Sequence, residues 1–201
     1  MTPERLAFVG DIHGNLPALR GILYELEKVN LDRIVFLGDY IDRGEDSAGV
    51  LRLLCESAKS KPLVLLRGNH EEVLLKALDT GDLAHFLKIG GASTIRSYVG
   101  SKVSPDVMTE FRSRLPVEHI DLLRGMPEEF ENKNVLASHV PKEDGSHRFQ
   151  VSAHAYVGRE PCIDSNSARI DTGCGSDGGL LTAVTWPELR VIQIDQDGHL
   201  V

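Results

Sequence analysis

The stretch Ile34-Val35-Phe36-Leu37-Gly38-Asp39-Tyr40-Ile41-Asp42-Arg43-Gly44 decides the fold. Its first four residues form an unbroken apolar run, which reads as a buried strand. The Gly-Asp that follows presents a carboxylate at the C-terminal edge of that strand, where α/β folds gather their chemistry. Asp42 and Arg43 follow in the same loop. One carboxylate could hold a metal, the second could orient a partner, and the guanidinium could bind an oxyanion. A polar turn with a helix-capping acid would look the same in isolation, so the neighbouring stretches must decide.

Those stretches repeat the pattern. Leu6-Ala7-Phe8-Val9 leads into Gly10-Asp11-Ile12-His13-Gly14, and Pro62-Leu63-Val64-Leu65-Leu66 leads into Arg67-Gly68-Asn69-His70-Glu71. Between them lie two helical patterns. Asn15 caps the first, with Leu16, Leu19, Leu23 and Leu26 recurring at helical spacing. Asp46 or Ser47 caps the second, with Val50, Leu51 and Leu54 on its apolar face. Strand, polar loop and helix in repetition predict an α/β fold with a parallel sheet.

From Val73 to Gly125 the pattern is helical. Gly81 is placed to end one helix. Ser104-Pro105 is placed to begin another, with Val107, Met108, Phe111 and Leu115 inside. His85 and His119 read as surface residues in a helical layer beside the site. After Pro127 strands return. Val135-Leu136-Ala137-Ser138 ends at His139, and Phe149-Gln150-Val151-Ser152 leads to His154. Arg169-Ile170-Asp171 precedes a glycine-rich turn from Gly173 to Gly179. It lacks a following Lys-Ser or Lys-Thr and reads as a tight loop, not a nucleotide P-loop. Leu180 to Trp186 and Leu189 to Ile194 form an expected hairpin turned at Pro187-Glu188.

Composition bounds the function. The 201 residues suit one domain, 1–201, with a proper core. A net charge of -8 argues against a nucleic-acid partner and against an anionic membrane surface. No apolar run approaches the roughly 20 residues of a membrane helix. The N-terminus leads straight into a strand, with no signal-peptide pattern. Cys55, Cys162 and Cys174 are scattered and odd in number, which fits the cytoplasm better than a disulfide framework.

Five strand ends carry metal-ligand types: Asp11 and His13, then Asp39, Asn69, His139 and His154. Neighbouring parallel strands lie about 4.8 Å apart, so such ends converge on one small volume. Two acids, three imidazoles and an amide carbonyl suit Mn, Fe or Zn, and differ from an all-oxygen calcium or magnesium cage.

Taken together, Gly-Asp-Ile-His-Gly at 10–14, Gly-Asp-Tyr-Ile-Asp-Arg-Gly at 38–44 and Arg-Gly-Asn-His-Glu at 67–71 carry a resemblance. The chain resembles the serine/threonine phosphoprotein phosphatases of the calcineurin-like metallophosphoesterases, in their compact bacterial and phage form. Likeness spans residues 5–80. It resumes at Ser138-His139 and from Ile170 to Thr182, and is poor in the helical middle. The resemblance implies central β-sheets packed as a sandwich and flanked by helices. It implies two divalent ions, most readily manganese. Asp11 and His13 would hold the first, Asp39 would bridge both, and Asn69, His139 and His154 would complete the second. His70 would be the general acid, oriented by Asp42. Arg43, Arg67 and Asn69 would bind substrate. A water shared by the ions would attack the phosphoester directly, without a covalent phospho-enzyme.

This sequence departs from the family pattern in two places. The family's second late histidine usually sits in Gly-His-Thr, whereas here it is Ser152-Ala153-His154-Ala155. The segment between His139 and His154 is short and lacks the family's tryptophan-and-arginine block. Lys142, Arg148 and Arg159 lie within or just after it as possible substitutes. The expected activity is hydrolysis of phosphoserine and phosphothreonine in proteins. The first rival is a diadenosine tetraphosphate or other small-phosphate hydrolase, which would tend to lose the acid present here as Asp42. A nuclease or phosphodiesterase would favour Gly-His-x-His, but Tyr156 stands at the last position. An inactive phosphopeptide-binding scaffold would have lost ligands that are present.

Overall fold

The structure is a computed structural model that describes residues 3–101, 105–142, 145 and 147–201. In chain order its elements are β1 (Leu6–Val9), α1 (Leu16–Glu27), β2 (Arg33–Phe36), α2 (Ser47–Ala58) and β3 (Leu63–Leu65). A helical run follows: α3 (Asn69–Thr80), α4 (Ala84–Lys88), α5 (Gly91–Val99), α6 (Val107–Arg114) and α7 (Val117–Gly125). Then come β4 (Glu129–Glu131), β5 (Val135–Ser138), β6 (Phe149–Ser152), β7 (Cys162–Ile163), β8 (Ser167–Arg169), β9 (Leu181–Trp186) and β10 (Val191–Ile194).

The N-terminal strands are apolar throughout because both of their faces are covered. In β1, Leu6 and Phe8 enter one buried cluster while Ala7 and Val9 enter another. In β2, Val35 joins the first cluster, and Ile34 and Phe36 the second. Successive strand residues point to opposite faces, so an unbroken apolar run demands two apolar layers.

One layer is a second sheet. The first sheet has the order β10-β9-β1-β2-β3, and the second the order β4-β5-β6-β8-β7. Leu6, Phe8 and Val35 meet Val135, Ala137, Phe149, Val151 and Ala168 across the gap. The opposite face of the first sheet is covered by helices, through Leu19, Ile22 and Leu26 of α1, Val50, Leu51 and Leu54 of α2, and Leu74 of α3. The fold is thus mixed α/β with two five-stranded sheets and flanking helices. β1, β2 and β3 run parallel, and β9 closes antiparallel on β1 to carry the β9–β10 hairpin.

Helix ends follow local chemistry. The side chain of Asn15 accepts the Ala18 N–H at 2.9 Å, and that of Asp46 accepts the Gly49 N–H at 2.7 Å. Ser47 is the first residue of α2 and turns its hydroxyl inward instead of capping. Gly81 ends α3 with φ of 81°.

Several expectations need correction. α6 starts at Val107 with Asp106 as its cap, and Ser104 lies outside the described residues. Of the expected inner positions there, Phe111 and Leu115 are buried while Val107 and Met108 are half-buried. His85 is exposed as expected, but His119 is buried, with Nδ1 2.7 Å from the Tyr98 hydroxyl. β4 and β7 escaped the sequence reading because two or three residues carry almost no periodicity. No described helix is long and apolar enough to cross a membrane.

Candidate metal centre

The loops after β1, β2 and β3 are tied to one another. Ile12 and His13 donate their N–H groups to the Asp39 carbonyl at 3.0 and 2.9 Å, and Gly14 donates to the Tyr40 carbonyl at 2.8 Å. The buried Tyr40 hydroxyl donates to the Leu66 carbonyl at 2.7 Å. Gly68 must be glycine: an added Cβ would stand 2.2 Å from Asp39 Oδ1. Gly175, at φ +81°, lies against His13, where an added Cβ would come within 2.4 Å of the His13 Cβ. That contact explains Gly175, and it packs this part of the glycine-rich turn as a tight loop against His13.

Backbone strain gathers at the same place. His13, Asp39, Asp42, Arg43 and His154 all hold positive φ, between 46° and 70°. Among the described residues only Leu189 joins them outside glycine. Non-glycine residues in this region are strained and persist where surrounding structure holds them.

The six expected ligands converge. His13 Nε2 lies 3.8 Å from Asp11 Oδ2 and 3.7 Å from Asp39 Oδ2. His139 Nε2 lies 3.4 Å from Asp39 Oδ1 and 2.9 Å from Asn69 Oδ1. His154 Nδ1 lies 2.9 Å from Asn69 Oδ1 and 3.1 Å from His139 Nε2. Backbone carbonyls set the ring orientations: His13 Nδ1 faces Ile41 O at 2.9 Å, and His139 Nδ1 faces Leu37 O at 3.1 Å. Each of those nitrogens donates its proton to the carbonyl, so the opposite Nε2 presents a lone pair inward. Asp11, His13, Asp39 and His139 are buried, while His154 is exposed at the rim.

Electrostatics favour a cation here. Burial, reinforced by Asp39 and Asp171, pushes the Asp11 carboxyl well above the usual carboxylate range. Burial also pulls His13 down to about 3, against the attraction of Asp39, and lowers His139. The buried His13 Nε2 has no hydrogen-bond partner. A buried lone pair without a donor, beside two crowded carboxylates, is costly unless a cation shares it. Two clusters, His13–Asp39–His70 and Asp39–His139–His154, bring their ligand atoms close enough to hold an ion. The mixed nitrogen and oxygen donors fit a transition metal.

His70 stands beside this centre. Its Nδ1 is 2.6 Å from Asp42 Oδ2, and its Nε2 is 3.8 Å from Asp39 Oδ2. Burial pulls His70 down, but the Asp42 hydrogen bond and the charges of Asp39 and Asp42 outweigh it and raise the imidazole above its ordinary range. Burial also raises Asp42, against the hydrogen bonds from His70 and Thr94.

The basic residues divide. Arg43 is exposed and lines a cleft of about 180 Å³ with Tyr156, Asp171 and Gly173. Arg67 lines another of about 290 Å³ with Asn69, Ser138, His139 and Lys142. Its Nη2 donates to the Arg124 carbonyl at 2.8 Å, at the C-terminal end of α7. The three possible substitutes are engaged elsewhere. Lys142 pairs with Glu129 at 2.5 Å, Arg148 with Glu131 at 2.6 Å, and Arg159 Nη1 donates to the Gly178 carbonyl at 2.7 Å.

Three site residues were missed. Glu71 is buried and accepts the N–H groups of Asp39, Tyr40 and Gly68 at 2.9, 2.9 and 3.0 Å. It is the N3 residue of α3, and a Glu three positions after a helix cap was a usable signal. Asp171 is buried, accepts the Gly173 N–H at 3.0 Å, and adds to the negative charge around Asp11. Thr94 bonds Asp42 from α5, and nothing local in the sequence marked it.

The family model for calcineurin-like phosphoesterases matches residues 4–166. Serine/threonine-protein phosphatase 2 of Escherichia coli is 41% identical over 85 residues, which cover 41% of this chain and 37% of that protein. The asymmetrical bis(5'-nucleosyl)-tetraphosphatase PrpE of Oceanobacillus iheyensis is 25% identical, covering 94% of this chain and 92% of that protein. The fold is similar to the crystal structure of a cold-active protein-tyrosine phosphatase of a psychrophilic Shewanella species. There the TM-score is 0.63 at 16% identity, over all of this chain and 80% of that one. The family match takes in every converging candidate ligand from Asp11 to His154, and the chain belongs to the calcineurin-like phosphoesterases.

Proposed function

We propose that the chain is a metal-dependent phosphomonoesterase acting on phosphoserine and phosphothreonine in proteins. The observation that carries this reading is the 2.6 Å contact of His70 with Asp42 beside a cluster of inward lone pairs. Asp11 and His13 would hold one divalent ion. Asn69, His139 and His154 would hold a second, with Asp39 between the two. Manganese, iron or zinc fits the donors. When bound, such ions polarise phosphoryl oxygens and acidify water.

The protein's own groups do the rest. Arg43 and Arg67 offer guanidinium donors to the phosphoryl oxygens. Asn69 stands where substrate and ligands meet. His70 keeps its Nδ1 proton on Asp42 and gives its Nε2 proton to the departing oxygen, which a serine or threonine alkoxide needs. The exposed rim at His154 and the cleft beside His139 suit a segment of another protein's surface.

Hydrolysis of dinucleoside tetraphosphates is the second reading, favoured by the near full-length match to the Oceanobacillus relative. A turnover panel with Mn²⁺ separates the two. It compares phosphoserine, phosphothreonine and phosphotyrosine peptides with diadenosine tetraphosphate and a cyclic nucleotide. Faster turnover of the phosphoserine and phosphothreonine peptides supports the first reading, and faster turnover of the tetraphosphate replaces it with the second. We also infer a cytoplasmic setting from the three free thiols.

A further inference from the structure

Asp42 is held at both carboxylate oxygens. Oδ2 takes His70 Nδ1 at 2.6 Å, and Oδ1 accepts the Thr94 hydroxyl, also at 2.6 Å. The Asp42 N–H donates to Thr94 Oγ1 at 2.9 Å and to Ser47 Oγ at 3.1 Å. Ser47 Oγ and Thr94 Oγ1 are 2.9 Å apart. Hydroxyls carry one proton each. Thr94 spends its proton on Asp42, so Ser47 must donate to Thr94. The Thr94 hydroxyl is then fully used, with one bond given and two received. Its proton has a single direction available, toward Asp42 Oδ1.

Asp42, Ser47 and Thr94 are all fully buried. Water cannot replace a lost bond there, so rotation of the carboxylate would strand two polar groups. The helices themselves are also pinned together, since Ala48 N–H donates to Ser97 Oγ at 3.1 Å.

We propose that Thr94 of α5, held by Ser47 of α2, is a positioning residue for proton delivery: it fixes the Asp42 carboxylate that aims His70 at the leaving oxygen. This rests on His70 being the proton donor. It gives the helical layer a part in the reaction.

The test compares Thr94→Val and Thr94→Ser with the parent on an alkyl phosphate and on 4-nitrophenyl phosphate, all loaded with Mn²⁺. Valine keeps the shape and removes the hydroxyl. Thr94→Val is expected to lower kcat on the alkyl ester about 10- to 100-fold, the scale of one hydrogen bond to a charged group, with KM unchanged. The aryl ester, whose leaving group needs little protonation, should lose much less. Thr94→Ser should stay near the parent. In the His70→Asn background, Thr94→Val should add no further loss on the alkyl ester.

Equal losses on both esters, a Thr94→Ser as weak as Thr94→Val, or full activity in Thr94→Val would overturn the proposal. If Thr94→Val does not fold, Ser47→Ala carries the same test. A loss confined to the alkyl ester supports the proposal, and no loss or an equal loss on both esters overturns it. Failure of His70→Asn itself to discriminate between the esters would instead remove the proton-donor reading beneath it.

Discussion

His139 Nε2 and His154 Nδ1 face each other at 3.1 Å across the mouth of the site. His139 has already given its ring proton to the Leu37 carbonyl, so its Nε2 is an acceptor. Asn69 Oδ1 and Asp39 Oδ1 are acceptors as well, at 2.9 and 3.4 Å from that nitrogen. Asp39 Oδ1 already accepts the His70 backbone N–H at 3.1 Å, and the one proton that His154 Nδ1 could add cannot satisfy both His139 Nε2 and Asn69 Oδ1. A divalent ion can.

His154→Ala is therefore expected to release one ion per chain, measured by elemental analysis after loading with Mn²⁺. Asp39→Asn should impair both ions, because its two oxygens face His13 and His139 on opposite sides. Activity should vanish with chelator and return with Mn²⁺. Two ions retained in active His154→Ala would make that residue an ordinary surface histidine.

His70→Asn should lower kcat on alkyl phosphates by about 10²–10⁴, the usual scale of general acid catalysis. Bound metal should be unchanged, since the substitution spares the six expected ligands. Aryl phosphates should lose far less. Steady-state kinetics on a series of leaving groups checks this, and a loss independent of leaving group would assign His70 to positioning.

Inhibition by inorganic phosphate should be weak. Each charge-assisted hydrogen bond is worth roughly ten- to a hundredfold in affinity, and the family's extra arginine is missing. With Arg148 paired to Glu131, Lys142 paired to Glu129 and Arg67 Nη2 held by the Arg124 carbonyl, Arg43 and the remaining Arg67 donors are the expected clamps. Arg148→Ala should leave the phosphate inhibition constant as in the parent. Tight inhibition that Arg148→Ala abolishes would show a replacement clamp at that position.

The buried His119 should make the helical layer acid-sensitive. Burial, with the nearby Arg52 charge, lowers its proton affinity below the ordinary 6.5, against Glu118. The unfolded chain then binds the proton first as pH falls. The stability that neutral His119 contributes is complete above about pH 6.5 and is lost as pH falls toward its lower folded value. His119→Gln removes this dependence. Thermal unfolding of both proteins should show the parent's advantage shrinking between pH 7.5 and 5.5. An advantage constant across that range would contradict the assignment.

Local sequence determined the three N-terminal loops, because their causes are local. Apolar runs demand burial on both faces, and Asn15, Asp46 and Gly81 act within a few residues of themselves. Asp11, His13, Asp39, Asn69 and His70 could be named for that reason. Other relationships exist only once the sheets close on each other. His154 reaches Asn69 across 85 residues, and Thr94 reaches Asp42 across 52. The packing of two sheets, and of α5 on α2, sets those distances, and neither leaves a periodic trace in the chain. The same packing buries His119 and turns the Arg67 guanidinium toward the end of α7. A side chain's chemical type is written in the sequence, but its partner is chosen by whatever the folded layers bring within about 3 Å of it.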